Sequence, residues 1–414
     1  MDAYFVSSLG ANAIATVGLT ESVFVLVYAI SIGLGVSATA VVARRTGEKD
    51  MKGASEAAVQ VIFIGLAISI IISIVGILYP KEILRIMGGE PDLIEEGYRF
   101  TQVMLGGNIT VTLIFLINSI FRGAGDASIA MRVLILSNAL NIILDPMFIF
   151  GFGPIPAFGV EGAAIATTIG RGTAVVFQLL ILFVGWSKIR LAAKDFVVNL
   201  AVMWNLIKVS LGGIGQFIIG TSSWVFLMRI MAEFGSEVLA GYTIAIRVIL
   251  FTMMPAWGIC NATATLVGQN LGAKKPDRAE ASVWKASKYN ALFLIVASII
   301  YLVFAESILK IFSNEPEVIQ HGALSLRIMV STYVVYAYGM VTIQAFNGAG
   351  DTKTPTIINI FCFWLFQLPF AYITAIWLGW ESVGVLVAIA LTGLLEAIVA
   401  IIWFRKGQWK TVKV

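Results

Sequence analysis

Runs of roughly 20 or more predominantly apolar residues recur along the chain, each long enough to cross a hydrocarbon core about 30 Å thick. Eleven stand out, centred near Val27, Ile68, Leu113, Leu140, Thr173, Ile219, Phe251, Val296, Val335, Leu365 and Val399. A shorter apolar piece, Ala3 to Leu9, opens the chain. In lipid the backbone finds no water to bond, so each run is expected to be a helix. The fold class that follows is an all-α integral membrane protein.

The pattern is also duplicated. Phe121-Arg122-Gly123-Ala124-Gly125-Asp126 recurs as Phe346-Asn347-Gly348-Ala349-Gly350-Asp351, an offset of 225 residues. The same offset pairs Gly10 with Gly235, Gly33 with Gly258, Gly47 with Gly272, Lys49 with Lys274, Ile83-Leu84 with Ile308-Leu309, and Pro91 with Pro316. Chance rarely keeps one register over so long a stretch, so two six-helix bundles related by internal duplication are expected. An even number of spans per unit makes the repeats parallel, related by an axis along the membrane normal. Residues 1–185 form the expected N-terminal bundle, 186–208 a basic cytoplasmic linker with the composition of an interfacial helix, and 209–414 the C-terminal bundle. The offset equates Asp2 with Leu227, which has about 20 residues of its own span before it where Asp2 has only Met1. The first helix is therefore expected to be largely missing, through a shortened chain, a misplaced start or a working protein with a broken first span.

Composition agrees with the bilayer reading. At 59% hydrophobic and 13% charged, with mean hydropathy +0.91, the chain is far from the soluble average of about 45–50% apolar and 25% charged. The net charge of +4 is small and scattered, which does not suggest nucleic-acid binding. Cys260 and Cys362 sit in apolar runs and the single histidine, His321, in a polar loop, leaving no disulfide framework and no His/Cys metal site. Assigning alternate loops to opposite sides puts 20 of the 28 Lys and Arg on one side, which the positive-inside rule makes cytoplasmic, together with the C-terminus. A monomeric multi-pass protein of the plasma membrane is expected, with lipids as its surroundings.

Two facing lobes suit a secondary transporter. No phosphate-binding Gly-x-x-x-x-Gly-Lys-Ser/Thr loop is present, so an ion gradient, and no further cofactor, is the expected energy source. Charge inside the bilayer is expensive, which makes in-span acids functional candidates. Asp2 and Asp145 stand out. Asn141 and Asp145, spaced i, i+4, face the same way on one helix. Pro146 donates no backbone hydrogen bond, which frees the Ile142 carbonyl and allows a kink. This hard-oxygen cluster suits Na⁺, or a proton on Asp145, with Asn118 and Thr167 able to complete it. An N-cap or a helix-to-helix hydrogen bond is the plain structural alternative. The second half's counterpart, Phe361 to Phe370, contains no acid, so the site is expected in the N-terminal lobe alone.

The Gly-Ala-Gly-Asp turns lack a following Lys and read as helix caps. Glu21, Arg171, Arg229, Arg247 and Glu396 are single charges that ion pairing or snorkelling would explain as well as function. The second lobe's aromatic, Met and amide residues, Gln216 and Tyr336 among them, are mostly packed or lipid-facing on this reading. As a surface beside a carboxylate they suit flat organic cations.

The chain resembles the multidrug and toxic compound extrusion (MATE) transporters over nearly its whole length. The resemblance is carried by Asp2 to Gly10, Phe121 to Asp126, Asp145-Pro146 with Gly159 to Thr167, Val267 to Gly272, and Phe346 to Asp351. In the branch with archaeal members it implies a Na⁺ or H⁺ site at Asp2, Asn141 and Asp145, with Thr167 beside it. Asn118, Tyr4 and Gln216 would fall on the substrate path. It also implies twelve helices, a V-shaped cavity, and export of small organic cations as Na⁺ or H⁺ enters. The acidic pair that another branch uses in its C-terminal lobe has no match here. A lipid-linked oligosaccharide flippase of the same superfamily is the alternative, although it would need a basic cavity. An integral membrane enzyme is the other, although no cluster of His, Cys or acids supports one.

Overall fold

The computed structural model describes residues 2–414, with side chains from Tyr4 onward. Among the described residues the main helical elements are α1 (Asp2–Val6), α2 (Ala11–Gly47), α3 (Met51–Leu78), α4 (Pro91–Ala124), α5 (Ala127–Phe150), α6 (Val160–Val184), α7 (Leu200–Phe234), α8 (Ser236–Gly272), α9 (Pro276–Leu309), α10 (Pro316–Val330 with Tyr333–Ala349), α11 (Lys353–Trp377) and α12 (Glu381–Arg405), with a short helix, Pro80–Ile86, between α3 and α4. Ten are long and apolar enough to span a membrane as they stand, and the bent α10 makes an eleventh. Every one of the eleven centres named from the sequence falls inside one of these spans.

Helix boundaries follow local chemistry. Proline, whose missing N–H costs nothing at a helix start, stands in the first turn of α4, α9 and α10. The Asp50 carboxylate accepts from Gly53 N at 2.8 Å and caps α3. Gly125, Gly185 and Gly350 end their helices in the left-handed conformation, at φ 87°, 85° and 85°.

The duplication is written into the backbone. Gly10 and Gly235 share φ 106° and 107°, and Lys49 and Lys274 share φ 62° and 57°. Both repeats break the same helix at the same place: α4 at Gly107 (φ −87°, ψ 7°) and α10 at Thr332 (φ −102°, ψ 1°), where the two parts of α10 meet at 60°. Close packing repeats too. A Cβ on Gly123 would stand 3.1 Å from the Thr39 carbonyl oxygen, and one on Gly348 would stand 2.2 Å from the Ala264 carbonyl oxygen, the equivalent position. Small residues let helix backbones approach where lipid supplies no hydrophobic drive.

Two compact units result, Met1–Ser210 and Leu211–Val414. Within the first, α2 packs on α4 and α5 on α6; within the second, α8 packs on α9 and on both parts of α10. The segment expected as an interfacial helix is instead mostly irregular from Trp186 to Asn199, and Leu200 already begins α7. Its backbone bonds to α3: the Arg190 carbonyl accepts from Ser55 Oγ at 3.0 Å, and the Val197 carbonyl from Gln60 Nε2 at 2.8 Å. These two carbonyls are satisfied by α3 side chains, and the only helical turn in the stretch, among the described residues, is Ala193–Asp195.

α11 departs from a regular helix. Pro369 cannot donate to the Leu365 carbonyl, and the preceding turns widen to π geometry over Ile360–Gln367, where Leu368 N bonds Phe363 O. At the end of the chain Trp409 is fully buried and stacks on Phe404, their centroids 4.7 Å apart. The Lys410 Nζ lies 2.6 Å from Glu280 Oε2, and this bond holds the ammonium above its ordinary pKa.

Candidate functional site

Asp145 is fully buried in α5. One turn earlier, Asn141 Nδ2 donates to Asp145 Oδ1 at 3.1 Å and to Thr167 Oγ1 of α6 at 3.1 Å. Two glycines on α6 allow this approach. A Cβ on Gly162 would stand 2.3 Å from the Phe148 carbonyl oxygen, and one on Gly170 would stand 3.1 Å from the Ser137 carbonyl oxygen. Pro146 lies inside α5 and leaves the Ile142 carbonyl without its usual helical donor. A carboxylate, a hydroxyl and an amide thus share one buried place. Among the described residues no three His, Cys, Asp or Glu side chains gather as metal ligands, and Asp145 is the carboxylate of this cluster.

The Asp2 side chain lies outside the described residues. The helix that carries it packs on α5 and α6, and Phe5 meets Phe150 edge to face at 6.5 Å. Tyr4 is 75% exposed. Asn118 forms a different cluster. Its Oδ1 accepts from Gln178 Nε2 at 2.9 Å, and Gln178 lies eleven residues beyond Thr167 on α6, about 16 Å along the axis. Gln178 is fully buried, and its signal in the sequence is an amide inside an apolar span, which needs a partner.

Gln216 is also tied up in packing. It exchanges amide hydrogen bonds with Asn347 of α10 at 3.0 and 3.1 Å, and it donates to the Thr352 carbonyl at 3.3 Å. Asn347 occupies the place of Arg122 in the repeated turn motif.

The acids of the two turns act differently. Asp351 caps α11 by accepting from Thr354 N at 3.2 Å. Asp126 instead holds the segment after α6, accepting from Ser187 Oγ at 2.7 Å and Lys188 N at 2.8 Å. Of the single charges, Arg229 pairs with Glu233 at 3.7 Å, whereas Glu396 makes no salt bridge among the described residues.

The class defined so far is a multi-pass helical membrane protein, built twice over, with a carboxylate, amide and hydroxyl cluster buried in its first unit. The chain belongs to the MatE family, whose sequence profile matches residues 1–147 and 214–373. It is 25% identical to the probable multidrug resistance protein NorM of Thermotoga maritima, across 99% of this chain and 88% of the relative. It is 22% identical to the multidrug export protein MepA of Staphylococcus aureus, across 87% and 79%. A solved structure described as the outward-facing conformation of a multidrug resistance MATE family transporter of the MOP superfamily superposes with a TM-score of 0.91. The identity there is 28%, covering 99% of this chain and 92% of the other. All three are named for drug resistance, export or transport, and none as an enzyme.

Proposed function

We propose that this protein is a secondary active antiporter of the plasma membrane that exports organic cations in exchange for Na⁺ or H⁺ by alternating access. The observation that carries the reading is the Asn141 bridge from buried Asp145 to Thr167. A carboxylate kept within a span costs roughly 2.5–3.5 kcal/mol on insertion scales, which makes a functional role the default. A cation arriving at Asp145 cancels its charge and weakens Oδ1 as an acceptor, so the Asn141 amide shifts its bond toward Thr167. The charge state of α5 is thereby communicated to α6. Asp2 joins this site from α1, and Asn118 and Tyr4 belong to the substrate path. The names of the relatives support drug-like cargo. One charge moving down 100 mV supplies about 2.3 kcal/mol, enough for about a forty-fold concentration ratio.

The Lys and Arg distribution supports a cytoplasmic C-terminus. A flippase of lipid-linked oligosaccharides is disfavoured because it would need a broad basic cavity for pyrophosphate, which an in-span acid such as Asp145 argues against. The test is reconstitution of the protein in liposomes with an imposed Na⁺ or proton gradient and a fluorescent organic cation as cargo. Uptake that follows one gradient identifies the coupling ion, and uptake independent of both overturns the antiporter reading.

A further inference from the structure

The second unit lacks a counterpart of Asp145, yet it buries an acid of its own. Glu396 lies on α12, nine residues before Arg405, about 13 Å from that end of the helix and well inside the span. It is 6% exposed, and its Oε2 has no hydrogen-bond partner among the described residues. The side chain borders a cavity of about 110 Å³ that Thr332, Tyr333, Tyr336, Phe363 and Gln367 also line. A second polar group is stranded beside it: the Tyr333 hydroxyl, on a residue 5% exposed, likewise has no partner among the described residues. Gln367 Oε1 accepts from Ser223 Oγ at 2.9 Å and keeps a lone pair.

No basic residue lines this cavity. The titratable groups around Glu396 are Tyr333 and Tyr336 of α10 and Cys362 of α11, with Cys260 of α8 and Tyr301 of α9 behind the tyrosines. All are ordinarily neutral at pH 7, so none can balance a carboxylate. Size decides between the remaining partners. Drug-sized ligands occupy pockets of about 300–1,000 Å³, whereas this one suits a proton or a small ion. The repeat agrees that the position is specialised. A shift of 225 residues brings Thr392 onto Thr167 but Glu396 onto Arg171, so α12 carries an acid where α6 carries a base.

We infer that the second unit binds a monovalent cation of its own, H⁺ or Na⁺, on Glu396, with Tyr333 Oη and Gln367 Oε1 as the neighbouring oxygens. The site stands independently of Asp145, and it departs from the expectation that only the N-terminal lobe takes an ion.

Infrared difference spectroscopy on the purified full chain tests this by following carboxyl bands as pH changes, in Na⁺ and in K⁺. In Asp145→Asn protein the titrating carboxyl bands should include one that adding Glu396→Gln removes, while the bands of the surface acids remain. A midpoint that moves with Na⁺ identifies Na⁺ as a competitor, and one indifferent to Na⁺ identifies the proton alone. Tyr333→Phe should change the half-saturating cation concentration by at least about threefold, which a purely structural tyrosine would not do. A response in the Asp145→Asn protein that is unchanged by Glu396→Gln overturns the inference. If Glu396→Gln does not fold, an unchanged midpoint in Tyr333→Phe overturns it. Glu396→Gln alone isolates the Asp145 response, so failure of one site is not mistaken for failure of the other.

Discussion

Thr167 Oγ1 accepts a hydrogen bond from Asn141 Nδ2 at 3.1 Å, which fastens α6 to the turn of α5 that carries Asp145. The same amide serves Asp145 Oδ1, so one side chain senses both helices.

Asp145→Asn preserves size and hydrogen-bonding capacity while removing the charge. Gradient-driven uptake of an organic cation should fall by about tenfold or more, within the usual range of coupling energies. The melting temperature in detergent should stay close to wild type. Unchanged transport would make the carboxylate incidental.

Gly162→Ala forces a methyl group to 2.3 Å from the Phe148 carbonyl oxygen. Overpacking of this kind costs about 1–3 kcal/mol and should lower the thermal transition. Gly18→Ala on α2 is the control, because nothing stands within 4 Å of its Cβ position. Equal melting of the two variants would show that α5 and α6 are not in tight register.

Gln216→Ala leaves the buried Asn347 amide without its reciprocal partner. The expected loss is about 1–3 kcal/mol of stability, read as earlier thermal unfolding, with the spectrum of transported compounds unchanged. An altered substrate spectrum at wild-type stability would instead place Gln216 on the substrate path.

Asp126→Ala removes the acceptor for Ser187 and Lys188. Hydrogen bonds to a charged group contribute about 1.5–3 kcal/mol, so limited trypsin cleavage at Lys188 or Arg190 should rise by about tenfold or more. Asp351→Ala, which removes the carboxylate bonded to Thr354 in the other turn, should leave that cleavage unchanged.

Span number, the duplication and the Asn141 to Asp145 pair were all legible in the sequence, because length, offset and i, i+4 spacing are one-dimensional quantities. Partnerships across helices were not. Lipid and protein interior are both apolar, so the pattern along α4 or α6 hardly reveals which way a side chain points. Asn118 therefore reads along the chain as able to complete the Asp145 cluster, whereas its Oδ1 accepts from Gln178. Nothing along the chain pairs Gln216 with Asn347, and Glu396 reads there as a single charge that ion pairing, snorkelling or function would explain equally well. The π turns of α11 were hidden for another reason: Pro369 predicts a lost hydrogen bond but not how the backbone accommodates it.

Gly10 and Gly235 hold the same left-handed dihedral in different surroundings, open at the first and with Glu237 Oε2 3.5 Å from the Cβ position at the second. Replacing each by alanine imposes a common intrinsic torsional penalty, which cancels when the two variants are compared. The difference that remains measures environment alone, so the ancient copying event left each half to serve as a reference specimen for its twin.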